Sequence, residues 1–130
     1  MALGTSGRPL EALPHIELAM RLSPQDRYFG QFLVRRAEAC LFLGRLEEAV
    51  ESAERSLREP NIQWSRWAIL AAAQAHLGRL EDARRSIKGL LALRSDVDLA
   101  FARGYWPIAD ADALEYLVDG LRNAGLPESA

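Results

Sequence analysis

Gly44-Arg45-Leu46-Glu47-Glu48-Ala49 recurs as Gly78-Arg79-Leu80-Glu81-Asp82-Ala83, 34 residues later. A period of that length, carrying a glycine, a turn and an alanine-led apolar helix, marks a helix-turn-helix array whose units bury their apolar faces by stacking on one another. A looser copy, Gly7-Arg8-Pro9-Leu10-Glu11-Ala12, lies 37 residues before the first, so the first linker carries three extra residues. The expected fold is all-α, an array of antiparallel helix-turn-helix units with about seven helices and a C-terminal capping helix.

Working outward from the repeat, residues 1–130 read as one domain, with a half repeat at 7–24, repeats at 26–60 and 61–94, and a partial repeat with the capping helix at 95–124. The first helix is expected from about Pro9, tolerated in a first turn, to Leu22, with Leu10, Leu13, Ile16 and Met20 inward. Asp26 is expected to cap the second helix and Gly44 to end it in the left-handed conformation. The third should stop before Pro60, Asn61 should cap the fourth, and Gly78 should repeat the glycine stop. A fifth is expected from about Leu80 to Leu93, a sixth opened by Ser95 or Asp96 and failing near Gly104 to Pro107, and a last from Asp110 to Gly125.

Composition narrows the function classes. Apolar residues make up 49% and charged residues 26% of the chain, a globular balance, and the net charge of −2 supplies no basic field for nucleic acid or an anionic membrane. The apolar run from Trp67 to Ala73 is far shorter than the roughly 20 residues a membrane-spanning helix needs. The single cysteine, Cys40, fits a reducing cytoplasm, which is the compartment expected.

The repeat positions resemble the tetratricopeptide repeat (TPR) family across roughly residues 7 to 103. Leu33, Trp67 and Phe101 stand where that family places a large residue early in the first helix of each pair, and Ala37 and Ala71 stand at its small position. Gly44 and Gly78 are the turn glycines, and Ala12, Ala49 and Ala83 the alanines where paired helices cross. Cys40 and Gln74 replace the usual tyrosine, and Ser95 the frequent closing proline. The resemblance implies a right-handed superhelix. The six residues before Gly7 are too few for the preceding helix, so the chain reads as starting in mid-repeat, and self-association into a homodimer through that N-terminal edge is expected.

Asp110-Ala111-Asp112 and Gly120-Leu121-Arg122-Asn123-Ala124-Gly125-Leu126-Pro127 resemble the closing segment of the C-terminal TPR regions of bacterial class III adenylate or guanylate cyclase-type signalling proteins. Related regions follow some winged-helix transcription regulators. That resemblance implies a regulatory or assembly tail.

No catalytic constellation stands out. Cys40 lies on the inward face of the second helix with no base suggested nearby, and His15 and His76 lack the spacing of a metal pair. Asp110, Asp112, Glu115 and Asp119 miss the ligand order of a calcium loop, and the first three read instead as helix-start carboxylates. Trp67 is expected in the core, so that Trp67→Ala costs about 3–5 kcal/mol, whereas Trp64 fits either core or groove. Trp106 is expected to plug the end of the stack.

What remains is the concave face that the TPR resemblance implies: Gln31, Val34, Arg35, Glu38 and Phe42, then Ser65, Ala68, Ala72 and His76, with Ala102 at the end. The TPR subclass that clamps C-terminal carboxylates carries basic and amide residues at positions held here by Val34, Glu38, Ser65 and Ile69, so that clamp is absent. A groove of small residues with one arginine and one glutamate suits a helix or an extended peptide of modest charge. A non-enzymatic protein-interaction module without cofactor or metal is the expected function, and the regulatory tail its alternative.

Overall fold

In the computed structural model the described residues are 8–106, 108 and 110–129, with side-chain surroundings from Glu11 onward. They form seven α-helices and no strand: α1 Arg8–Leu22, α2 Phe29–Phe42, α3 Leu46–Ser56, α4 Trp64–His76, α5 Leu80–Leu93, α6 Leu99–Tyr105 and α7 Ala111–Ala124. Gly7 of the loose upstream copy lies outside the described residues. Each of α1 to α5 packs on its neighbour in sequence, α2 also meets α4, and α7 folds back across α4.

The repeated glycines do what their spacing requires. Gly44 and Gly78 take φ of 78° and 81°, and in both turns the amide three residues after the helix reaches five back, Arg45 N to Cys40 O at 2.8 Å and Arg79 N to Gln74 O at 2.9 Å. Gly125 ends α7 the same way at φ 109°, with Leu126 N bonded to Leu121 O at 3.0 Å. Only glycine enters this region without a steric penalty, and the closing bonds satisfy carbonyls that the helix end leaves open. The two repeat turns also touch, Arg79 Nη2 lying 2.5 Å from Glu47 Oε2.

Helix starts depart from expectation in three places. Asp26 Oδ1 accepts from Tyr28 N at 2.7 Å, so it shapes the turn before α2, which starts only at Phe29. Asn61 adopts φ 65° and shapes the loop, leaving Gln63 at the start of α4 without a side-chain cap. Asp98, not Ser95 or Asp96, caps α6 by accepting from Phe101 N at 2.8 Å, because Ser95 and Asp96 form a turn and the helix starts only at Leu99, after Val97 is buried. Asp110 caps α7 as expected, accepting from Asp112 N and Ala113 N.

The core runs along the inner sides of the helix pairs. Ala37, Ala49, Ala71 and Ala83 are fully buried, which lets paired helices approach closely. In α1, Leu13 is buried, Ile16, Met20 and Ala12 are half-buried, and Pro14 withholds an N–H from the helix ladder. Arg36 fastens α1, α2 and α3 together through Glu17 at 3.1 Å, Glu48 at 3.4 Å and the Ser52 hydroxyl. At the position 34 residues after Ser52, Ser86 Oγ donates to Gln74 Oε1 at 2.6 Å, so the buried serines keep the repeat register while their partners differ.

Trp64, which fitted either core or groove, is the deeper tryptophan, and Trp67, expected in the core, is only partly covered. Trp64 is buried at the centre of edge-to-face contacts with Phe101, Tyr105 and Trp106, at centroid distances of 5.5, 4.7 and 5.5 Å. Trp67 is only partly buried, lying against α5 where Gly89 leaves no room for a side chain. The reason is α6: once its aromatic side chains collect at the start of α4, the first tryptophan is covered instead of the second.

Candidate functional site

The face that α2 and the start of α4 turn toward the α6–α7 connection encloses an open cavity of about 450 Å³. Gln31, Val34, Arg35, Glu38 and Phe42 of α2 line it, joined by Ser65 of α4. Their spacing of three and four residues puts them on one side of the helix. The opposite wall is Tyr105, Trp106 and Ile108, with Gln63 at the α4 entrance.

Six of the nine groove candidates are therefore brought together, and three are not. Ala68 and Ala72 are fully buried, and His76 is engaged with α7: its Nε2 lies 2.7 Å from the Tyr116 carbonyl oxygen and its ring stacks on Tyr116 at 3.8 Å. Gly120 comes so close that a Cβ there would stand 2.9 Å from both Ala72 Cα and Cβ. This half of the expected groove is filled by the chain's own last helix, because two alanines and a facing glycine form a flat surface on which a helix can lie. Ala102 is likewise buried, and Ile69, at an empty clamp position, belongs to the core.

Glu38 dominates the cavity electrostatically. Its Oε2 accepts from Trp106 Nε1 at 2.9 Å across 68 residues of sequence. Burial pushes the Glu38 carboxyl pKa above the ordinary glutamate range; the indole bond and the Arg35 charge pull the other way without cancelling it. Among the described residues Glu38 enters no ion pair, and Arg35, the other charged lining residue, is exposed. A half-buried carboxylate thus meets the cavity with one indole N–H as its recorded hydrogen-bond donor.

Trp106, expected to plug the end of the stack, is buried against Trp64, where it forms the cavity wall and positions Glu38. Tyr105, Ile108 and Gln63 were not legible as lining. The available signal was the Trp106 indole itself, which on burial needs an acceptor, and the inward-facing register position of Glu38 could supply one.

Among the described residues Cys40 is the one thiol, and burial, which pushes its pKa up, works against its ionisation. Its nearest polar contact is Glu48 Oε2 at 4.0 Å. Among the described residues no group of three His, Cys, Asp or Glu is placed to hold a metal ion. Glu115 pairs with Arg103 at 3.2 Å and Asp119 with Arg122. Among the described residues no helix is long and apolar enough to cross a membrane. Comparison of the chain with protein-family models, with curated proteins and with solved structures finds no match.

Proposed function

We propose that this chain is a non-enzymatic protein-interaction module of the TPR type, docking a helix or an extended peptide in the groove along α2. The observation that carries this reading is the pairing of a 34-residue helix-turn-helix register with an open cavity on the inward face of the first complete pair. Support comes from α7, which lies across the matching face of α4 as a helical guest lies in a groove. Selection of peptides from a displayed library tests the reading. Enriched peptides should lose binding on substitution of Gln31 or Tyr105, and peptides that respond only to changes on α3 and α5 would sink the groove.

A second reading adds a setting to the same surface. The segment that carries the cyclase-tail resemblance is integral to the folded unit, Pro127 O accepting from Leu99 N at 2.9 Å, as suits a regulatory or assembly tail that keeps its own shape. An in-frame cyclase or winged-helix domain upstream in the DNA supports that setting, and an unrelated or absent open frame there counts against it. Self-association is a further proposal, because α1 leaves Leu18 and Leu22 exposed on the N-terminal edge. Sedimentation at rising concentration should reveal a dimer that Leu18→Ser with Leu22→Ser abolishes.

A further inference from the structure

We propose that the α2 cavity receives a lysine side chain of the docked segment, with the Glu38 carboxylate as its counter-charge and Phe42, Tyr105 and Trp106 as its walls. The inference rests on the groove reading above, and it specifies what that groove selects.

Three features of the cavity converge on a compact cation. First, Glu38 lines the cavity with its Oε2 held by Trp106 Nε1 at 2.9 Å, and an ionised carboxylate can accept about four hydrogen bonds, so a guest's donors have an acceptor fixed in place. An ammonium group brings three donors and the missing positive charge. Second, the half-buried carboxyl lies beside the exposed Arg35 without pairing with it, and the burial that pushes its pKa up is what a cationic guest offsets. Third, Phe42, Tyr105 and Trp106 supply part of the wall, and an aromatic ring face attracts a cation more strongly once both are withdrawn from water.

The bond from Trp106 also bears on which cation fits. With Oε2 already engaged, a guanidinium fork, which prefers both carboxylate oxygens, is poorly served, whereas an ammonium approaches as a point donor. Arg35 sits at the cavity as a native competitor. It is near enough to lower the Glu38 pKa but forms no ion pair with it, so the carboxylate is left for a guest. An anionic guest would invert these roles, needing Arg35 and suffering from Glu38.

The test uses the full chain and Nα-acetyl-lysine methylamide as probe, following the Trp106 indole N–H by ¹H–¹⁵N correlation spectra assigned with Trp106→Phe. Saturable movement of that signal is expected with the lysine probe, and none with the norleucine analogue at equal concentration. Glu38→Gln keeps an acceptor for the indole and should weaken binding about tenfold or more, as loss of a desolvated charge partner does. Arg35→Ala, a change at an exposed residue, should tighten it by roughly two- to threefold, the scale of a partly exposed charge interaction. Equal response to norleucine, an unchanged affinity in Glu38→Gln, or weaker binding in Arg35→Ala overturns the proposal. Selected peptides that map to α2 while the probe is silent remove the lysine and keep the groove; a responsive probe with no peptide mapping there keeps the cation site and removes the groove.

Discussion

The inward faces of α2 and α4 present equivalent positions 34 residues apart: Gln31 with Ser65, Val34 with Ala68, Glu38 with Ala72 and Phe42 with His76. One face borders an open cavity, and the other lies under α7. The difference is made by side-chain size. On α4, alanines at 68 and 72 let Gly120 of α7 approach to backbone contact, and His76 then anchors the helix through Tyr116. On α2, valine, glutamate and phenylalanine keep a helix from lying as close, and among the described residues the opposite wall is Tyr105, Trp106 and Ile108. A single repeat register thus yields an intramolecular docking surface and an open one, which is why the second can be read as a site.

The largest expected effect falls on the residue that joins the two faces. Trp64→Ala removes the centre of the aromatic group behind the cavity wall and should cost about 3–5 kcal/mol in urea unfolding. Trp67→Ala, at the position first expected to be the deeper one, should cost clearly less, since Trp67 is only partly covered. Equal losses would mean that the aromatic group on α6 does not shield Trp64 in solution.

Next in size is the α4–α7 contact. Gly120→Val forces side-chain atoms into the space that Ala72 already occupies, and overpacking of this kind costs about 1–3 kcal/mol. The loss should come with faster hydrogen exchange in α7 while α2 and α3 keep their protection. If Gly120→Val is as stable as the parent chain, α7 does not lie against Ala72 as described, and the contrast between the two faces collapses.

Much of this was legible because glycine and alanine act locally. Gly44 and Gly78 specify a backbone conformation, and Ala37, Ala49, Ala71 and Ala83 specify close crossings, so period and chemistry agree without knowledge of the tertiary structure. The groove was half legible. Helical spacing placed Val34, Glu38 and Phe42 on one face, but whether that face is open depends on where α7 returns, and nothing local to α4 says so. Alanine at 68 and 72 reads equally as a shallow groove wall or as a seat for a helix. The Glu38–Trp106 bond was illegible for the same reason, being a contact over 68 residues that only the α6–α7 connection creates.

A smaller effect separates the faces by charge. Burial raises the Glu38 carboxyl pKa, so the folded chain holds that proton more tightly than the unfolded chain does. The stabilisation this provides is fully present below the ordinary glutamate range and is lost as pH rises through the raised value. Glu38→Gln removes the titration, so its stability relative to the parent should climb across that window and level off above it. Urea midpoints of the two chains from pH 4 to pH 8 measure the difference. A gap that is constant with pH would show that the carboxylate is solvated and that the α2 cavity is no different electrostatically from open surface.

The smallest effect is expected where the repeats look most alike. Arg79 and Glu47 come from the two copies of the hexapeptide and meet at 2.5 Å, yet their side chains are 41% and 68% exposed. Exposed pairs of this kind gain little over their hydration and side-chain entropy, so a double-mutant cycle with Arg79→Ala and Glu47→Ala should give a coupling of about 0.2–1 kcal/mol that fades with added salt. The identity of the two turns then lies in their glycines and alanines, and the charged residues between them keep the turns soluble without holding the stack together. A coupling well above that range, or one indifferent to salt, would mean that the outer turns carry stacking energy, and the inward faces of α2 and α4 would no longer be the surfaces that distinguish one repeat from the next.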